Sequence, residues 1–213
     1  MTTALLQTTY FGPVQWYQKL NCYDRCLIEQ YDTYQKQTYR NRCVISTANG
    51  LQALTVPVES ERMRNGENEK CLLRDVRISD HNQWRRVHWN ALQSAYSESP
   101  FFDYYADDLY PFFEKKYAFL VDFNEAIRQT VCQLIDIHPT VEYTQKFLPP
   151  SVSPSSTLTD FRDIIHAKHP QPDSGFQPRP YWQVFQHKHG FHPNLSILDL
   201  LFCMGPESIF YLT

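Results

Sequence analysis

The chain is expected to form an α/β fold in one domain, an N-terminal mixed sheet with a hairpin followed by a helical C-terminal half. Three observations lead there. Short apolar runs bounded by turn residues fill the first third of the 213 residues, with the lengths of strands. Asn49-Gly50 separates two of these runs and is a strong hairpin signal, because both central residues of a type I′ turn need positive φ. From Asp80 onward the apolar spacing lengthens to that of helices, clearest where Leu120, Phe123, Ile127, Val131 and Leu134 form one stripe.

Taken in order, Ala4 to Thr8 reads as a strand that runs into the punctuation Tyr10-Phe11-Gly12-Pro13. Val14 to Leu20 then reads as a short helix carrying Trp16, Tyr17 and Leu20, and Arg25 to Glu29 as a second strand. Arg42 to Thr47 and Leu51 to Val58 are expected to pair. A charged loop from Glu59 to Lys70 leads to a further strand over Cys71 to Ile78. Asp80 with Gln83 resembles a capping box for a helix whose face holds Trp84, His88, Leu92 and Ala95. Phe101 to Tyr117 is aromatic and irregular around Pro111, and Phe119 to Ile135 is the clearest helix. Residues 145 to 180 hold seven of the fourteen prolines and read as an extended arm within the domain. Asn194 or Ser196 can cap a last helix over Ile197 to Met204, which Gly205 ends.

Composition narrows the functions. With 42% hydrophobic and 20% charged residues the chain can bury a real core. Six glycines against fourteen prolines argue against a dinucleotide fold, which needs glycine at its phosphate loops. A net charge of -3 disfavours nucleic acid and anionic membranes as partners, so any anion site must be local. The N-terminus lacks a basic region and reads as no signal peptide. The run from Leu195 to Met204 is too short to insert into a bilayer, and the chain is expected to be cytoplasmic. The six cysteines form no Cys-x-x-Cys and are expected as buried free thiols. No motif fixes a cofactor: a Gly-rich phosphate loop, a Gly-x-Ser-x-Gly elbow and a His-Glu-x-x-His are all missing.

The densest chemistry lies in Lys36-Gln37-Thr38-Tyr39-Arg40-Asn41-Arg42, three cations and several neutral donors within seven residues. If the segment is extended, Arg40 and Arg42 point the same way, with a fork geometry suited to phosphate or carboxylate. The alternative is a solvated strand edge. Glu29, Asp32 and Tyr34 lie just upstream, and Tyr10 to Trp16 follows the first strand. If the first two strands are parallel, both segments open on the edge where α/β sheets gather ligands. Glu29 or Asp32 is then a general base or an ion-pair partner that orients the cations. His88 stands either as a satisfied core histidine or as a base at the rim of this pocket. His187, His189 and His192 form His-x-His-x-x-His, which could bind metal but lacks a cysteine or carboxylate at fixed spacing, so no metal ligand is assigned.

These segments also carry a resemblance. Tyr10-Phe11-Gly12-Pro13-Val14-Gln15-Trp16-Tyr17, Ile28-Glu29, Tyr34 with Lys36-Gln37-Thr38-Tyr39-Arg40-Asn41-Arg42-Cys43, Asn49-Gly50 and Leu54-Thr55-Val56-Pro57-Val58 are similar to the WbqC-like proteins of bacteria. So are Trp84, His88-Trp89, Tyr96 and Phe101-Phe102, and near the end Gly190-Phe191 with Pro193-Asn194-Leu195-Ser196-Ile197-Leu198-Asp199-Leu200-Leu201-Phe202. The resemblance implies a place in surface-polysaccharide biosynthesis, as a transferase acting on sugar intermediates. The expected ligand is a small anion such as a sugar nucleotide. Lys36, Arg40 and Arg42 would hold its phosphate, Tyr34 and Asn41 would line the site, Tyr10, Trp16 and Tyr39 would stack on a ring, and Glu29, Asp32 and His88 would be the catalytic candidates. The competing reading is a non-catalytic binding or assembly protein of the same pathway. It would meet a protein partner or a second copy through the aromatic surface around Phe101 to Tyr105.

Overall fold

The computed structural model describes residues 1–59, 71–150 and 157–213. β1 (Thr3–Gln7) is followed by α1 (Val14–Cys22), which crosses back to β2 (Arg25–Glu29). The two strands are parallel, with Thr3 opposite Arg25 and Gln7 opposite Glu29. Much later β5 (Val141–Tyr143) joins the outer side of β2 and β6 (Leu158–Asp160) the outer side of β1, both parallel. The order is β5-β2-β1-β6, so all four carboxyl ends open on one edge. The apolar runs Ala4-Leu5-Leu6 and Cys26-Leu27-Ile28 suit central strands covered on both faces.

β3 (Arg42–Thr47) and β4 (Gly50–Thr55) form a separate antiparallel hairpin. The fold is α/β as expected, but the parallel and antiparallel strands belong to two sheets. The turn also differs from expectation. Ala48-Asn49 forms it without positive φ, and only Gly50, at φ 101°, takes the conformation that suits glycine.

The helices are α2 (Trp84–Tyr96), α3 (Phe102–Leu109), α4 (Pro111–Glu114), α5 (Leu120–Leu134), the single turn α6 (Gln186–His189) and α7 (Ile197–Met204), which passes into a 3-10 segment, Gly205–Tyr211. Ser196 caps α7 by accepting from the Leu198 amide. Asn194 instead caps α1, its Oδ1 accepting from the Gln15 amide at 2.9 Å, because Pro13 at that N-terminus has no side chain that can accept. Asp80 forms no capping box; it pairs with Arg85 at 2.6 Å and Lys116 at 2.7 Å. The aromatic stretch around Pro111 is more regular than expected, because proline starts α4 at its first position.

Cys71 to Ile78 is not a strand. It makes one 3-10 turn, Leu73–Asp75, and touches Thr33, Phe119 and Val58 at single bridges through Leu72, Arg77 and Ile78. Its buried Leu73 and Val76 are three apart, the spacing of a helical turn rather than the two of a strand. Among the described residues of the proline-rich arm, Leu158–Asp160 form β6 and the rest is turn or irregular chain. Residues 60–70 of the charged loop and 151–156 of the arm lie outside the described residues.

One apolar core runs from Ala4 to Leu212. The aromatic excess is built into it: Phe11 stacks on Phe113, Tyr10 on Phe123, and Phe112 on Tyr117. The aromatic surface expected around Phe101 to Tyr105 is largely buried, since Phe102, Tyr105 and Leu109 fall on the inner face of α3 and only Tyr104 stands well out. All six cysteines are free thiols; Cys22 is exposed and Cys71 half-buried, where burial was expected. Among the described residues no helix is long and apolar enough to cross a membrane.

Candidate functional site

The carboxyl edge of the parallel sheet collects charge on one side and a cleft on the other. Glu29 ends β2 and is 1% exposed. Its Oε1 accepts from the Tyr31 amide at 2.8 Å and the Thr144 hydroxyl at 2.9 Å. Its Oε2 accepts from the Leu148 amide at 2.9 Å and from Arg162 at 3.4 Å. Arg162 in turn forks onto Asp160 at the end of β6, with Nη2 at 2.6 Å. Burial pulls the Arg162 guanidinium down, but the Asp160 fork outweighs it and holds it above its ordinary value.

The run from Lys36 to Arg42 folds differently from the extended form assumed above. Gln37 has φ 62°, and the chain turns from Lys36 through Arg40, so Arg40 and Arg42 part company. Arg40 is 2% exposed and donates from Nη2 to Asp32 at 2.8 Å, while its Nε has no partner among the described residues. Burial pulls the Arg40 guanidinium below its ordinary value, with Asp32 opposing. Arg42 opens β3 and bonds the Thr55 hydroxyl at 3.2 Å. Lys36 is exposed, and Asn41 continues the hairpin by exchanging bonds with Val56.

Among the other expected residues, Tyr10, Trp16, Tyr34 and Tyr39 lie in the core at 0 to 9% exposure. Tyr10 meets His88 Nδ1 at 2.9 Å, and the Thr55 carbonyl accepts from the same ring. Burial, opposed by that carbonyl, lowers the His88 pKa to about 4, which keeps the imidazole neutral. Trp16 donates to the Gln7 carbonyl at 2.9 Å. Glu29, Asp32 and Arg40 are thus brought to one edge, while Lys36 is exposed and Arg42 is half-buried against the hairpin. His187 and His189 sit on α6, and among the described residues no group of three His, Cys, Asp or Glu side chains is arranged to hold a metal ion.

On the other side of the strand ends lies a cleft of about 460 Å³, lined by Gln30, Tyr143 and one face of α5: Val121, Asp122, Glu125, Ala126 and Gln129. Strand alternation separates the two features, since Glu29 points to one face and Gln30 to the other. The cleft's centre is Glu125. Arg128 donates to it through Nε at 2.7 Å and through Nη2, and Gln129 at 2.7 Å. Burial raises the Glu125 pKa, but the bonds from Arg128, Tyr143 and Gln129 outweigh that, so the carboxyl titrates below its ordinary value and stays ionised. Tyr143, half-buried and facing this carboxylate, is pushed well above the usual phenol range. A narrow crevice continues inward to Thr8, Thr9, Asn124 and Arg128 and shares Glu125 and Tyr143 with the cleft. Gly12 lets the chain pack closely on the crevice residue Thr9, because a Cβ there would lie 2.4 Å from Thr9 Oγ1. Asn124 joins both halves of the edge by donating to the Arg40 carbonyl at 2.8 Å.

Sequence reading missed Tyr143, Glu125, Arg128 and Arg162. Glu125 with Arg128 and Gln129 does carry the i,i+3 and i,i+4 spacing of a side-chain network on one helix face. Arg162 is the second residue after a three-residue strand that no periodicity reveals.

The fold and the edge together define a class: an α/β protein with a ligand-sized cleft of mixed polar and apolar lining at the carboxyl ends of parallel strands. Residues 7–169 match the WbqC-like protein family, and the chain belongs to it. It is 26% identical, over 98% of its own length and 96% of the other's, to the Uncharacterized protein Rv1507c of Mycobacterium tuberculosis (strain ATCC 25618 / H37Rv). No solved structure matches the chain.

Proposed function

We propose that the chain is a transferase that binds the sugar part of a phosphorylated or nucleotide-linked intermediate of surface-polysaccharide biosynthesis in the cleft beside Tyr143. The observation that carries this is the cleft itself. Its volume of about 460 Å³ lies in the range of small-ligand sites and it opens outside the carboxyl ends of parallel strands. Its lining pairs the aromatic ring of Tyr143 with the hydrogen-bonding side chains of Gln30, Asp122, Glu125 and Gln129, which suits a ring bearing hydroxyls. In this reading the anionic end lies outside the cleft, whose described lining includes no lysine or arginine. Arg40 is engaged by Asp32, and Asp32, less buried than Glu29, is the more accessible carboxylate for proton transfer.

A second reading, binding without turnover, draws support from Glu125. A carboxylate held ionised by its donors accepts a proton poorly, and a general base works best with a pKa near the working pH.

Thermal denaturation of the full chain with sugar nucleotides, sugar phosphates and free nucleotides tests the site. A hundredfold excess over Kd contributes about 2.7 kcal/mol, or roughly 5 to 10 °C for a chain of this size. The shift is expected with sugar nucleotides or sugar phosphates and is lost in Tyr143→Ala. No shift from any of the three classes, or a shift that Tyr143→Ala leaves intact, refutes the cleft as the site. Turnover of a ligand that binds separates the transferase from the binding protein.

A further inference from the structure

Glu29 holds a loop at both of its ends. Its Oε1 accepts from the Thr144 hydroxyl and its Oε2 from the Leu148 amide, each at 2.9 Å. Gln30 secures the near end again, its amide donating to Thr144 Oγ1 at 3.3 Å and its Nε2 to the Thr144 carbonyl at 3.0 Å. Bonds to a buried carboxylate are strong, so the chain leaves β5 and returns at fixed points. Between the two clamps, Gln145, Lys146 and Phe147 are all exposed.

Two of these side chains are unspent. Lys146 makes no hydrogen bond or ion pair among the described residues. Phe147 is 44% exposed, although a phenyl ring gains by burial. The Arg162 guanidinium lies 5.7 Å from the centroid of that ring. Its side chain is 6% exposed and locked by Asp160 and Glu29. The ring is therefore backed by a fixed cation and open to solvent, a platform on which another flat ring can stack.

Position ties this platform to the cleft. Tyr143 lines the cleft on one face of the sheet, and alternation puts Thr144 with Glu29 on the other. The chain thus rounds the carboxyl edge between Tyr143 and Phe147, with Lys146 on the way. Four residues span at most about 14 Å, a length that a sugar joined to a base through diphosphate and ribose can bridge.

We propose that the loop from Gln145 to Phe147 recognises the nucleotide of a nucleoside-diphosphate sugar, with Lys146 meeting the diphosphate and Phe147 stacking on the base. The assignment rests on the cleft being the sugar site, and it decides between the two ligand classes of that site. A sugar phosphate would leave Phe147 uncovered.

The test is a titration of the isotope-labelled full chain, followed by amide resonances, with UDP-glucose and GDP-mannose, their sugar 1-phosphates, and UDP and GDP. The sugar nucleotides are expected to move the backbone amides of Lys146 and Phe147 together with the side-chain amides of Gln30 and Gln129. They are expected to bind about tenfold more tightly than the sugar 1-phosphates, the scale of one base stacked on an aromatic ring. Phe147→Ala, at an exposed position, should remove that advantage without weakening the sugar 1-phosphates, and Phe147→Trp should keep it. Equal binding of sugar nucleotides and sugar 1-phosphates at the cleft, or an advantage that survives Phe147→Ala, overturns the loop assignment and leaves the cleft reading standing. Nucleotides that move the loop but not the cleft amides keep the loop and overturn the cleft as the sugar site. No response to any of the six overturns both.

Discussion

Tyr181→Phe is the sharpest probe of how the chain is held together. Asp199, on α7, is 0% exposed and has no cation within ion-pair distance among the described residues. Its charge is carried by three donors: the hydroxyls of Tyr96 at 2.8 Å and Tyr181 at 2.7 Å, and Gln183 Nε2 at 2.9 Å. Burial still outweighs them and raises the Asp199 pKa. The substitution removes one hydroxyl and keeps the ring that packs on Phe191 and Tyr211. A hydrogen bond to a charged group is worth about 1.5–3 kcal/mol, so the melting temperature should fall by roughly 3 to 12 °C. The sign of the pH dependence follows from linkage. Asp199 binds its proton more tightly folded than unfolded, so the stability it contributes falls as pH rises from its unfolded value through its folded one. Loss of a donor raises the folded value further, so the deficit of Tyr181→Phe should grow with pH across that window. Denaturant melts of both proteins from acid to neutral pH measure it. An unchanged stability, or a deficit that shrinks as pH rises, would refute this account of Asp199.

His88 should stay neutral by NMR until the pH approaches about 4. Its folded value lies below the ordinary 6.5, so the fold loses stability as pH falls between the two, by about 3 kcal/mol in all; a His88 resonance that titrates near 6.5 would contradict this. Gly12→Ala places a Cβ 2.4 Å from Thr9 Oγ1 and 2.9 Å from Thr9 Cβ. It should cost about 1–3 kcal/mol in denaturant melts, as overpacking does, and a neutral result would show that Thr9 can turn away.

The parts of the fold that the sequence revealed are those with a long enough repeat. The stripe from Leu120 to Leu134 and the face of Trp84, His88, Leu92 and Ala95 each span several helical turns, so the period stands out from chance. β5 and β6 are three residues each, too short to show alternation, and they exist because β2 and β1 offer them backbone partners. The edge where ligands should gather was legible from β1 and β2, and with it Glu29, Asp32 and Arg40. Their conformation was not. Arg40 turns inward because Gln37 breaks the extended chain and Asp32 waits eight residues back, a contact that residue type alone does not specify. Tyr143 escaped notice because its meaning comes from α5 lying across the strand ends.

The proline-rich arm and the residues just beyond it are tied to the rest of the chain by buried polar contacts. Three buried charges of the body take partners from the stretch between Leu158 and Gln183. Glu29 meets Arg162, which Asp160 orients. Lys19, 1% exposed on α1, meets Asp173 at 2.7 Å and lies over the ring of Phe161. Asp199 takes two of its three donors from Tyr181 and Gln183. A buried charge left alone is far more costly than the paired one is favourable, so the body cannot keep these three side chains inside without the stretch from Leu158 to Gln183. Few helices or strands are needed to hold such a segment when its polar groups are the ones the core requires. The two sides of the sheet differ in the same terms: Glu29, Asp160 and Arg162 satisfy one another on one side, whereas on the α5 side Asp122 is left without a partner among the described residues.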